Sequence, residues 1–415
     1  MQTNLADFIR DTAEGQAADR ILRSCVHCGF CLATCPTYQL LGDELDSPRG
    51  RIYLIKQMLE GAPVTAKTQR HLDRCLTCRA CETTCPSGVE YGQLLDIGRG
   101  MTEEKVGRSA SARLQRKLLR VMLQQPALFA GLFKLGQWAR PWLPAALKAK
   151  LLIPGVAGTW PAPRHARKML VLAGCVQPTL APQINAASAR VLDRLGISLI
   201  VAPRAGCCGA LAYHLDAQAE GLAAMRRNID AWLPYLEQGV EAIVMTASGC
   251  GVTVREYGRY LEHDPVYAEK AARIAAKTRD LSEIISAEQA ALGSLRSADL
   301  PKIKVAVHTP CTLQHGQKIN GVLETILTAA GFAVADAPER HLCCGSAGTY
   351  SILQPALSQQ LLKNKIAALE TNQPERMVTA NIGCLLQLQS ATQKPVSHWI
   401  ELIDTAFDTA RAQQD

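Results

Sequence analysis

Eight of the chain's sixteen cysteines fall in two short runs. CVHCGFCLATCP places Cys25, Cys28, Cys31 and Cys35 ahead of Pro36, and CLTCRACETTCP repeats the interval with Cys75, Cys78, Cys81 and Cys85 ahead of Pro86. Thiolates are soft ligands, and three of them at two-residue spacing can wrap one corner of a metal centre. Cysteines serving as small buried hydrophobes have no reason to recur at fixed spacing. Zinc sites usually separate their C-x2-C pairs by a longer gap, so the spacing points to iron and sulfide.

The unbroken run C-x2-C-x2-C-x3-C-P is the one that bacterial-type ferredoxins use for [4Fe-4S] clusters, and in two-cluster ferredoxins its last cysteine ligates the other cluster. Cys25, Cys28, Cys31 and Cys85 are therefore expected to hold one cluster, and Cys75, Cys78, Cys81 and Cys35 its partner. Between the runs, SPRGRIYLIKQMLEG and VTAKTQRHLDR have helical periodicity, with Ile52, Ile55, Met58 and Leu59 on one face. The insert is longer than in a minimal ferredoxin and predicts a helical one. His27 and Arg79, inside the cysteine loops, either tune the clusters by charge and hydrogen bonding or face solvent.

From Lys168 onward a second pattern occurs twice. MLVLAGC, AGCCGA and IVMTASGC supply Cys175, Cys207, Cys208 and Cys250; VAVHTPC, HLCCGS and MVTANIGC supply Cys311, Cys343, Cys344 and Cys384. Counted from the first cysteine, the others lie at offsets 32, 33 and 75 in one copy and 32, 33 and 73 in the other, the mark of a duplication. Short apolar branched runs read as strands, and INAASARVLDRLG and NGVLETILTAAG as the helices between them, so each copy predicts βαβ units with a parallel sheet. Sites in such sheets form beyond the carboxyl ends of the strands, where these cysteines fall. Gly209 and Gly345 suit tight strand-to-helix turns. The repeats read as redox or metal sites or as structural thiols, and His214, His308, His315 and His341 as ligands, proton shuttles or ordinary core and surface histidines.

At 415 residues the chain can bury several cores without disulfide staples. Its start, MQTNLADFIRDTAEG, is charged early and does not read as a signal peptide, and no apolar stretch reaches the length of a membrane span. This favours a cytoplasmic protein. The net charge of +8 counts every cysteine as neutral; thiolate-held clusters offset part of it. Nucleic-acid recognition is not expected, because no basic and aromatic interleaving within a recognisable module is present. From Lys105 through Leu192 the chain carries no Asp or Glu, and RLQRKLLRVMLQQPALFAGLFKLGQWARPWLPAALKAKLL mixes Arg and Lys with Leu, Phe and Trp. Such a segment suits a membrane interface, a partner subunit or a plain linker, and Pro126, Pro141 and Pro144 divide it into short helices.

Two ferredoxin runs, GDELDSPRGRIYLIK between them, two C-x31-C-C-G repeats, and the segments SCVHCGF and CGSAGTY together resemble the iron-sulfur subunits of glycolate oxidase, within the CCG-domain superfamily that includes heterodisulfide reductase subunits. The resemblance covers nearly the whole chain. It implies a mixed fold: a dicluster ferredoxin-type domain over 1–104, a basic amphipathic helical connector over 105–167, a first CCG repeat over 168–300 and a second over 301–415. Heterodisulfide reductase repeats end in C-x-x-C, whereas here Ala247 and Asn381 stand at the first of those positions, which argues against disulfide cleavage. Four thiols per repeat are still enough for additional iron-sulfur clusters.

Without a G-x-G-x-x-G helix opening or a flavin motif, the chain is expected to supply no catalytic residue for hydride removal. The resemblance implies FAD-containing partner subunits that oxidise glycolate to glyoxylate, electron transfer through this subunit toward a quinone or other membrane acceptor, and a peripheral position on the cytoplasmic face of the inner membrane. Alternatives are the same role for another 2-hydroxy acid or glycerol-3-phosphate, a stand-alone thiol or disulfide reductase, or a zinc-held scaffold.

Overall fold

The computed structural model describes residues 1–142, 154–294 and 303–412; Pro144, with residues 143–153 of the connector, and the boundary expected at 300/301 lie outside them. The chain divides into two compact units that cut across its linear order. One comprises Met1–Gln115, Thr309–Ile319 and Pro338–Thr371, and the other Arg116–His308, Asn320–Ala337 and Asn372–Asp415.

The N-terminal part of the first unit is helical. Thr12 caps helix Ala13–Ser24 by accepting from the Gly15 amide, and Ser47 caps Pro48–Leu59 by accepting from Gly50, with Pro48 opening that helix. Ile52, Ile55, Met58 and Leu59 are buried on one face, as the periodicity predicts. They pack with Ile21, Leu22, Leu72, Leu94 and Leu95 in a core that also takes in Cys25, Cys75 and Cys81. The thiols are thus held against the hydrophobic centre. Helix Tyr91–Val106 approaches closely at Gly98, where an added Cβ would lie 2.7 Å from Ile55.

The second unit contains both sheets. β1 (Arg167–Val171), β2 (Ile197–Val201), β3 (Ile243–Met245) and β4 (Thr278–Asp280) form the order β2-β1-β3-β4; β5 (Lys304–His308), β6 (Ala333–Ala335), β7 (Arg376–Thr379) and β8 (Val396–His398) form β6-β5-β7-β8. Every pairing is parallel. The identical order, with helices Pro182–Arg194 and Val322–Ala329 in corresponding crossovers, is the duplication read from the cysteine offsets. Within this unit the Ser248 amide donates to the Ala380 carbonyl at 3.1 Å, and His398 lies 3.0 Å from the Thr246 carbonyl.

Candidate metal centre

Each N-terminal cysteine loop turns by taking left-handed backbone at the same two places. His27 and Gly29 have φ of 58° and 88°, and Thr77 and Arg79 have φ of 54° and 60°. A non-glycine residue in this region costs about 1–2 kcal/mol, and such strain collects at functional sites. Alternating hand along a loop directs successive amides inward; the Thr77 amide, for one, points at Cys75 Sγ from 3.4 Å.

Two neighbouring cavities result. Cys25, Cys28, Cys31, Cys81 and Cys85 line one, and Cys35, Cys75, Cys78 and Cys81 line the other. Each contains the three leading cysteines of one run and the last cysteine of the opposite run. The first opens to solvent through exposed Cys28, Val26 and Phe30, whereas Cys35, Cys75 and Cys81 around the second are buried. Around the second, Thr37 Oγ1 lies 3.3 Å from Cys35 Sγ and the Tyr91 hydroxyl donates to Cys75 Sγ at 3.6 Å.

Burial, followed by Cys25, pushes the Cys31 thiol up to about 11. Burial also raises Cys78 and Cys81, reinforced by Cys311 for the former and by Cys78 for the latter. All these thiols are free of disulfides. Crowded thiols that resist ionisation on their own fit a site completed by a positively charged inorganic core. His27, placed in the first loop, is held below its ordinary pKa by burial and then by Arg49.

Three cysteines of the second repeat, Cys311, Cys343 and Cys344, belong to the first unit. Cys311 and Cys343 Sγ atoms are 3.9 Å apart, and the Gly345 amide donates to Cys343 Sγ at 3.4 Å. Gly345 has φ of 84°, and a Cβ there would stand 2.6 Å from the Ser358 carbonyl oxygen; glycine is required. Cys311 and Cys343 pack in one apolar cluster with Leu76 and Cys78 of the second ferredoxin run, together with Tyr350 and Leu361. The Tyr350 hydroxyl donates to the Arg74 carbonyl at 3.1 Å. His315 Nε2 donates to the His341 carbonyl at 2.9 Å, which leaves Nδ1 to accept from Thr83 at 3.0 Å. His315 thereby joins the two loops; its pKa is lowered by burial.

The first repeat brings Cys175, Cys207, Cys208 and Cys250 together in the second unit: Cys207 shares hydrogen bonds with Cys175 and Cys208, and Cys208 with Cys250. Those bonds, first from Cys175, lower the Cys207 pKa and raise those of its neighbours. The loop is fixed from behind, where Asn228 Nδ2 and Arg227 donate to the Cys207 carbonyl and the Tyr257 hydroxyl to the Cys208 carbonyl. Cys384 is buried near the start of helix Ile382–Gln389 in the same unit. Asn381, where a C-x-x-C ending would put cysteine, donates to Cys384 Sγ at 3.6 Å and accepts from the Gly249 amide at 3.3 Å. His308 ends β5, and His214 ends helix Ala210–His214.

Arg51, Thr37, Tyr91 and Tyr350, with Asp46 and Arg74 behind the second cavity, are site residues that the sequence reading did not single out. For Arg51 a signal existed: it shares the buried helical face of Ile52 and Ile55.

The 4Fe-4S dicluster domain model matches residues 21–89, and the cysteine-rich CCG domain model matches 169–255 and 305–389. The chain is 56% identical over 409 residues to the glycolate oxidase iron-sulfur subunit of Escherichia coli K12, covering 98% of this chain and 100% of that protein. It is 30% identical to a probable glycolate oxidase iron-sulfur subunit of Bacillus subtilis, covering 90% and 89% respectively. A lactate utilization protein A of Bacillus velezensis is 28% identical over 53% of this chain. The helical dicluster region and the paired CCG units accord with these matches, and the chain belongs to the family of glycolate oxidase iron-sulfur subunits, iron-sulfur proteins of an oxidoreductase complex.

Proposed function

We propose that this chain carries electrons within a glycolate-oxidising complex, from FAD-containing subunits that convert glycolate to glyoxylate toward a quinone-type acceptor. The observation that carries the reading is that each of two neighbouring cavities takes the three leading cysteines of one run and the last cysteine of the other, with Cys81 lining both. Cys25, Cys28, Cys31 and Cys85 would hold one [4Fe-4S] cluster and Cys75, Cys78, Cys81 and Cys35 the other; Cys175, Cys207, Cys208 and Cys250 would hold further iron. When bound, the clusters supply one-electron carriage, which divides a two-electron oxidation into single transfers.

The protein's own residues do the rest. The loop amides face the sulfurs, the hydrophobic core keeps water from Cys75 and Cys81, and exposed Cys28 leaves one side open to an electron-donating partner. Cys78 packs with Cys311 and Cys343 from the cysteine loops of the second repeat, which supports an exit at those two thiols.

Iron, acid-labile sulfide and zinc, measured per chain on anaerobically isolated protein, test the ligand reading. More than about eight iron atoms, matched by sulfide and without zinc, are expected. Zinc in place of iron would refute it.

A position on the cytoplasmic face of the inner membrane is part of the same proposal. Among the described residues no helix is long and apolar enough to cross a membrane, so attachment would be peripheral. Helix Pro126–Ala139 and the turn after it leave Leu132, Leu135, Trp138 and Trp142 exposed in the stretch without acidic residues. Basic residues with exposed leucine and tryptophan suit an anionic lipid interface. The chain should float with vesicles containing phosphatidylglycerol and lose most of that binding in Leu135→Glu/Trp138→Ala. Equal flotation of the variant would assign this surface to a partner subunit instead.

A further inference from the structure

Behind the second cavity lies an ion group that the ligand reading does not use. Arg51 is 1% exposed and lines the cavity with Cys35, Cys75, Cys78 and Cys81. Its Nε donates to the His71 carbonyl at 2.7 Å, Nη1 to Thr37 Oγ1 at 3.1 Å and Nη2 to Asp46 at 3.2 Å. Thr37 in turn donates to the Asp46 carbonyl at 2.8 Å and contacts Cys35 Sγ. Asp46, fully buried, also pairs with Arg74 at 2.8 Å and lies 3.1 Å from His71 Nδ1.

Two guanidiniums against one carboxylate leave a positive excess in a region of low dielectric. Burial works against the Arg51 charge, and Cys75, Cys35 and Asp46 around it are the groups whose negative charge would favour it. A buried cation is costly without negative partners, and Asp46, already shared with Arg74, supplies only part of what Arg51 needs. Thiolates and the cluster they hold supply the remainder. Around the solvent-open first cavity, Arg49 is part-exposed and paired with Glu44, so its field is screened.

We infer that Arg51, Arg74 and Asp46 set the reduction potential of the cluster held by Cys35, Cys75, Cys78 and Cys81, raising it so that the buried site accepts an electron despite its burial. Burial alone disfavours the more negative reduced state; the cationic excess favours it. This inference rests on the ligand assignment above. Arg51, Arg74 and Asp46 are positioning residues that act through the field at the site.

The test is a potentiometric titration followed by low-temperature EPR on the anaerobically isolated full chain, with the Cys75-site signal identified by its loss in Cys35→Ser. Arg74→Gln, at a partly exposed position, should lower the midpoint, and Asp46→Asn should raise it. Arg51→Gln should lower it furthest, with at least a tenfold change in the reduction equilibrium, about 59 mV for one electron. Arg51→Lys, which keeps the charge, should recover most of the midpoint. Because Arg51→Gln can disturb folding, the opposite signs of Arg74→Gln and Asp46→Asn decide the matter. Unshifted midpoints, or shifts of the same sign in those two variants, overturn the inference and leave the ligand assignment standing. A protein with no cluster signal overturns both.

Discussion

Cys35→Ser is expected to abolish the cluster whose other three ligands begin at Cys75, while the site at Cys25, Cys28 and Cys31 keeps its spectrum. Serine oxygen is a hard, weakly acidic replacement for a soft thiolate. Cys35 sits in the first run by sequence, but its side chain lines the cavity of the second. Iron should fall by about four per chain, and acceptor reduction driven by glycolate should drop to background. Helix Pro36–Leu41 follows Cys35 directly and retains its opening proline, so the loss is local. Selective loss of the Cys25-site signal in place of the other would mean that each run closes its own site.

The second large effect is expected at Cys311 and Cys343. Replacing both with serine should leave both ferredoxin-type EPR signals intact and stop electrons from reaching the acceptor. Their position is the reason: they pack in one apolar cluster with Leu76 and Cys78, and the Cys311 and Cys343 Sγ atoms lie 3.9 Å apart. The Thr77 amide and the Tyr91 hydroxyl both donate to Cys75 Sγ, contacts that involve neither Cys311 nor Cys343, so the substitutions should not dismantle the loop. Glycolate would then reduce the N-terminal sites once without turnover. Normal acceptor reduction by the double variant would return these thiols to a structural role.

The ligand chemistry was legible because metal chemistry imposes spacing, and spacing survives in a linear string. C-x2-C-x2-C-x3-C-P specifies a cluster by spacing alone, and the shared offsets of the CCG cysteines specify two copies of one sheet. The order β2-β1-β3-β4 and its counterpart β6-β5-β7-β8 follow that reading. Helix faces were legible for the same reason: Ile52, Ile55, Met58 and Leu59 recur at the helical period.

Long-range assembly was not legible. Nothing local indicates that residues 309–319 and 338–371 leave the second repeat's sheet and join the unit built on residues 1–115. The contacts responsible, Tyr350 to the Arg74 carbonyl and Thr83 to His315, are single hydrogen bonds between residues more than two hundred positions apart. Asn381 is intermediate. Its place at a missing cysteine was visible in the sequence, but its side chain's bonds to Cys384 and to the Gly249 amide needed the fold. Arg51 shows how periodicity can mislead, since a charged residue on an apolar face invites dismissal until its partners are seen.

The most direct test of the central claim is low-temperature EPR after anaerobic addition of glycolate, made once to the complete complex and once to the isolated chain. The account predicts reduced [4Fe-4S] signals in the complex within turnover time and none in the isolated chain, which lacks the hydride-accepting cofactor. Glycolate oxidation by the isolated chain, or a turning-over complex whose clusters never become reduced, would contradict it.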